Sequence, residues 1–220
     1  MSSRSQTKII NASVSYLALS ALVIGFTLFL NKLSGISFEQ HTILSLVTLS
    51  SFLFSLHLVF GLYIYPTSFH QSGSNAIPPA SKIQRSIIGL LVGTVLFYII
   101  SILYGAPLTR TFFRTLFFAN LLSSMTAVPT SILLGCDPQA WKNMFFSPIH
   151  NSIYETCCTI TVVFSLLGAW IGGFAIPLDW DRPWQVWPIS CMYGSLVGHV
   201  IGLLICSVYA IFYKEKSNIM

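Results

Sequence analysis

The stretch "ISCMYGSLVGHVIGLLICSVYAIFY", Ile189–Tyr213, runs for 25 residues without an Asp, Glu, Lys or Arg. At about 1.5 Å of rise per residue, such a helix is longer than the roughly 30 Å hydrocarbon core of a bilayer. It is apolar on every side, so it suits a membrane and not the surface of a soluble globule. The rest of the chain agrees. Its 220 residues are 54% hydrophobic and 8% charged, with a mean hydropathy of +0.75. Soluble domains carry about 25% charged residues, so this chain lacks the polar surface to cover itself in water.

Five further apolar runs precede that one: Ile10–Leu30, Thr42–Tyr65, Ile87–Tyr104, Phe112–Leu134 and Thr156–Leu178. Runs of this length exclude a transmembrane β-barrel, whose strands are shorter and alternate. The first run is too long for the apolar core of a cleaved signal and reads as an uncleaved anchor. The expected fold is all-α: one integral membrane domain over residues 1–220, with six transmembrane helices. Pro66 ends the second helix, and "QSGSNAIPPASK" after it reads as a flexible polar loop. The connections are too short for a soluble domain.

The net charge of +5 comes from Lys and Arg scattered beside apolar runs. No basic stripe or nucleic-acid motif is present, which excludes nucleic-acid binding. Positive residues do set orientation. Arg4, Lys8, Lys82, Arg85, Lys142, Lys214 and Lys216 fall on the side of the termini, whereas Lys32, Arg110, Arg114 and Arg182 fall on the other. Seven against four places both termini in the cytosol.

Small residues mark helix contacts. Ser190, Gly194, Gly198, Gly202, Cys206 and Ala210 recur every fourth residue of the last helix. Ala119, Ser123, Ala127, Ser131 and Gly135 do so in the fourth, and the pairs Gly89/Gly93 and Gly168/Gly172 add two more motifs. In lipid, helices associate by close backbone approach, which small residues permit. Packing within this bundle is preferred to a dedicated partner face. Leu203 is expected to face lipid.

Candidates for chemistry are few. His57, Asn120 and His199 lie within helices, and both histidines are expected to hydrogen-bond a neighbouring helix. The cysteines, Cys136, Cys157, Cys158, Cys191 and Cys206, have no metal spacing and read as small apolar residues, with acylation of Cys157 or Cys158 unsupported. No hydrolase, metalloprotease or phosphate-loop motif occurs, and no cofactor is implied. Arg110 and Arg114 are four apart and read as one face at the start of the fourth helix. They hold a lipid phosphate or partner carboxylate, or they snorkel to headgroups; both readings stay open.

The segment "PLDWDRPWQVWP", Pro177–Pro188, concentrates the little polarity there is. Asp179 and Asp181 are the only close pair of acids in the chain. With Arg182 they would form either a site or a structured turn, and the turn is preferred: Asp179 accepts from backbone or Arg182, and Pro183 stiffens the residues after it. Trp180, Trp184 and Trp187 are expected at headgroup level as an aromatic anchor. The whole is read as a rigid clasp between the fifth and sixth helices.

"GAWIGGFAIPLDWDRPWQVWPIS", Gly168–Ser190, resembles the signature of the phosphatidylinositol-glycan class F (PIG-F) family. "LYGAPL", Leu103–Leu108, is similar to a second motif of that family and adds Tyr104, Gly105 and Pro107 to the candidate contact residues. The resemblance implies a non-catalytic subunit of glycosylphosphatidylinositol (GPI) ethanolamine-phosphate transferases in the endoplasmic reticulum. It implies binding to and stabilising the class O and class G catalytic subunits, among membrane lipids, with contact to the GPI precursor left open. Two rivals remain: a small transporter dependent on His57 or His199, and a lipid-modifying enzyme using Asp179, Asp181 and Arg182.

Overall fold

The computed structural model describes residues 3–33, 38–65, 78–135, 137–146, 152–178 and 180–213, with the backbone only at 3–9, 31 and 33. The elements are helices: α1 (Ser3–Leu28), α2 (Thr42–Tyr63), α3 (Pro79–Leu103), α4 (Phe112–Met125), α5 (Ala127–Leu134), α6 (Pro138–Phe146), α7 (Ile153–Gly173) and α8 (Ile189–Phe212). A π-helical turn, Phe29–Leu33, follows α1, and a 3₁₀ turn, Pro183–Gln185, precedes α8. Among the described residues six segments are long and apolar enough to cross a membrane, with α4 and α5 together making the fourth. An even number of spans puts both ends of the bundle on one side.

Boundaries differ from the expected ones where helix and apolar run do not coincide. The third helix begins at Pro79, eight residues before the apolar run. Pro78 is extended and Pro79 occupies the first turn, where its missing N–H costs nothing. Pro79–Lys82 of the expected polar loop is therefore helical, while residues 66–77 lie outside the described residues. The fifth helix begins at Ile153, where the Ser152 hydroxyl accepts from the Tyr154 N–H at 3.2 Å. It ends at Gly173, and the backbone goes on to Leu178 as tight turns, with Phe174, Ala175, Ile176 and Leu178 each donating three residues back. The fourth span breaks at Thr126. Pro129 explains the break, since it has no N–H to give the carbonyl of Met125.

That broken span is the centre of the molecule. It is 78% buried, against 28–50% for the other five. α3 packs on it through the expected small residues: a Cβ on Gly93 would meet Ser123 and Ala127, and one on Gly89 would meet Ser131 and Ala127. The Ser123 hydroxyl donates to Leu90 O at 2.9 Å and Gly89 O at 3.2 Å. α7 and α8 form the tightest pair. A Cβ on Gly198 would overlap the Phe164 carbonyl, and one on Gly194 would overlap that of Gly168. One on Gly202 would sit 2.9 Å from Thr161 Cα. The α8 stripe is thus occupied by α7 of the same chain. Leu203 does not face lipid: it is 1% exposed.

Candidate functional site

At the end of the bundle opposite the termini, α3 leads into α4 and α7 leads into α8. The first of these connections is a helix stop built by its own sequence. Ala106 N–H donates to Ser101 O at 3.0 Å and Gly105 N–H to Ile102 O at 2.9 Å. This is the paired bonding of a Schellman cap, which places the residue after the helix in the left-handed region. Gly105 has φ +97°, and Pro107 comes next but one, where a helix cannot resume. Ala106 turns inward and is buried, while Tyr104 is 76% exposed. Arg110 is exposed in the turn before Phe112, and only Arg114, half-buried, lies in α4. The expected shared helical face of Arg110 and Arg114 is therefore not formed, because the helix starts too late to include Arg110.

The second connection is organised by a residue that its sequence context does not single out. The Gln185 side chain donates through Nε2 to Ala175 O (2.8 Å) and Leu178 O (2.7 Å), and its Oε1 accepts from Arg182 N–H (2.9 Å). One amide thus satisfies three backbone groups of the turn, and it is 8% exposed. An uncharged amide among charged neighbours gave no sign of this in sequence. Asp181 has φ +47°, a conformation that Asp tolerates better than most residues. Arg182 and Pro183 are exposed. Asp179, and with it the expected Asp179–Arg182 bond, lies outside the described residues.

The three indoles take different positions. Trp180 is 56% exposed and meets Trp184 edge-on, with ring centroids 5.7 Å apart. Trp184 is half-buried against the core. Trp187 faces inward: Nε1–H donates to Thr115 Oγ1 at 2.9 Å, and its ring meets Phe118 at 5.5 Å. It ties the α7–α8 connection to the start of α4. In the two connections, Tyr104, Leu108, Arg110, Trp180 and Arg182 are exposed.

Other candidates sit elsewhere. His199 Nδ1 meets Ser165 Oγ of α7 at 2.9 Å, but His57 Nδ1 meets Leu53 O of its own helix at 2.8 Å, not a neighbouring one. Cys157, Cys158, Cys191 and Cys206 are free and buried, which closes Cys157 and Cys158 to acylation. Lys82, counted for orientation, is 3% exposed and donates to Gly61 O (2.9 Å) and Tyr65 O (3.0 Å) at the end of α2. A cation is favoured against the negative end of a helix dipole. Arg4 and Lys8 have undescribed side chains, and Lys214 and Lys216 lie outside the described residues.

The chain is similar to known proteins over most of its length. The stabilizing subunit of GPI ethanolamine phosphate transferase from Homo sapiens is 38% identical over 167 residues, covering 76% of this chain and 75% of the relative. The Mus musculus protein of the same name is 44% identical over 138 residues, 61% of this chain and 63% of that one. Glycosylphosphatidylinositol anchor biosynthesis protein 11 of Candida albicans is 34% identical over 121 residues, 54% and 46% of the two chains. No solved structure matches. The model of the GPI biosynthesis protein family Pig-F matches residues 21–207, which take in the second to fifth spans, parts of the first and last, and both connections of the site, and the chain belongs to that family.

Proposed function

We propose that this chain is the non-catalytic, stabilising subunit of a GPI ethanolamine-phosphate transferase of the endoplasmic reticulum. Its partners are the class O and class G catalytic subunits. Both termini are cytosolic, and the surface around Trp187 is lumenal, on the side where the transferase acts. The observation that carries the reading is the similarity, across three-quarters of both chains, to a human protein named for that stabilising role.

The geometry of the turn supports it. Gln185 is committed to backbone carbonyls and Trp187 to Thr115, so these polar groups hold a shape. The exposed residues of the two connections, Tyr104, Arg110, Trp180 and Arg182, are aromatic or cationic. Aromatic residues and Arg are the types enriched where proteins meet proteins. Arg110 and Arg114 suit a partner carboxylate or a lipid phosphate, the GPI precursor included.

The test is gentle detergent purification of the tagged chain, with identification of the proteins that accompany it. Both catalytic subunits are expected, and Asp181→Asn retains them with most of the transferase activity. An intact complex with activity abolished makes Asp181 a catalytic residue and overturns the assignment. For orientation, a cysteine at Asn75 reacts with an impermeant thiol reagent once the plasma membrane alone is opened. Protection there, with labelling of Ser34→Cys, reverses the topology.

A further inference from the structure

A cavity of about 10 Å³ lies where five of the six spans meet. Its walls include Tyr16 of α1, His57 and Phe60 of α2, Pro129 of α5, Cys158 and Thr161 of α7 and Leu203 of α8. A volume of that order admits a single water molecule. The fourth span is broken beside it, and interrupted helices in membranes occur where backbone is enclosed by protein or lines a wet space.

The polar groups here are unequal in a telling way. His57 Nδ1 lies 2.8 Å from Leu53 O. A carbonyl only accepts, so Nδ1 carries the proton and Nε2 is a bare acceptor. The same holds for His199. The Ser165 hydroxyl donates to Thr161 O at 2.6 Å, so it can only accept from His199 Nδ1 at 2.9 Å. His199 Nε2 is then also a bare acceptor, and it is buried without a hydrogen-bond partner among the described residues. The two imidazoles meet edge to face, with centroids 5.2 Å apart. Tyr16 lines the cavity, and its Oη is likewise buried without a partner among the described residues. Tyr16 itself is 3% exposed. A phenol needs an acceptor for its proton, and the Nε2 of His57, which lines the cavity, needs a donor.

Water both donates and accepts, which is the complement of a phenol proton and a bare ring nitrogen. We infer that the cavity is a binding site for one structural water, which accepts from Tyr16 Oη and donates to His57 Nε2. It links α1 and α2 at membrane depth through polar groups that otherwise carry the desolvation cost of burial. A metal ion suits the site less well, since among the described residues no three His, Cys, Asp or Glu come together.

The test is a structure of the chain in its native complex, at a resolution that shows ordered solvent. A peak within about 3.2 Å of both Tyr16 Oη and His57 Nε2 is expected. No such peak, with Tyr16 Oη on a protein acceptor, overturns the inference. So does a peak bonded at about 2.3 Å to Cys158 Sγ, which marks a zinc ion. A second measurement is a cycle of Tyr16→Phe and His57→Leu, read by thermal melting in detergent. Each single variant loses the same water, so the double variant is expected to melt no lower than the worse single one. Strict additivity of the two shifts overturns the shared ligand.

Discussion

Ser13 and Ser207, 194 positions apart, exchange hydrogen bonds: Ser13 Oγ donates to Ser207 O at 2.9 Å and Ser207 Oγ donates to Ser13 O at 3.0 Å. The pair sews the first span to the last, where both residues are buried. Ser13→Ala removes one bond and leaves the other intact. Interhelical hydrogen bonds in membranes are worth about 0.6 kcal/mol on average. A small fall in melting temperature is expected for either single Ala variant, and roughly twice that for the double. Ser13 is also the hydroxyl residue of the sequon Asn11–Ala12–Ser13. On the proposed cytosolic side of the first span the sequon is expected to stay unglycosylated, as a mobility shift on glycosidase treatment will check.

The α7–α8 contact makes the sharpest prediction about glycines. Because a Cβ on Gly198 overlaps the Phe164 carbonyl, Gly198→Ala already forces the two backbones apart. Gly198→Leu is expected to abolish accumulation of the chain. Gly25→Ala is the control: a Cβ there has nothing within 4 Å, and Ala is the better helix former by about 1 kcal/mol. Equal protein levels for Gly198→Leu and Gly25→Ala contradict the close approach.

Gln185→Leu strips a donor from Ala175 O and Leu178 O together. Both carbonyls sit at a partly exposed turn, so each left unsatisfied costs less than the roughly 1–3 kcal/mol of a fully buried group. We expect a lower yield of the complex, with the transferase activity per unit of complex unchanged. Arg182→Ala leaves the Arg182 N–H on Gln185, so it is expected to affect partner association more than the melting temperature of the isolated chain. The reverse order of effects places the keystone at Arg182.

Lys82→Met removes the cation from the end of α2. Hydrogen bonds to a charged group contribute about 1.5–3 kcal/mol, so the melting temperature should drop by several degrees. Lys142→Met, at an exposed position of α6, is expected to leave it unchanged. Identical melting of the two variants means that Lys82 is not holding the carbonyls of Gly61 and Tyr65.

The class and the number of spans are legible in the residues alone, because hydropathy over some 20 residues is a local property that a bilayer reads directly. The sequence also carried the α3 stop, since Gly105 and Pro107 act on their own backbone, and it marked the glycine stripes, since four-residue spacing survives any tertiary arrangement. What those marks meet depends on how the helices pack. Packing put the Gly198 stripe against α7 and buried Leu203. It also turned Lys82 from an orientation signal into a cap on another helix. Gln185 as the keystone, Trp187 on Thr115 and Ser13 on Ser207 were not legible for one physical reason. A hydrogen bond between distant segments depends on where two chains of atoms arrive in space, and neither residue's own neighbourhood in the sequence records that.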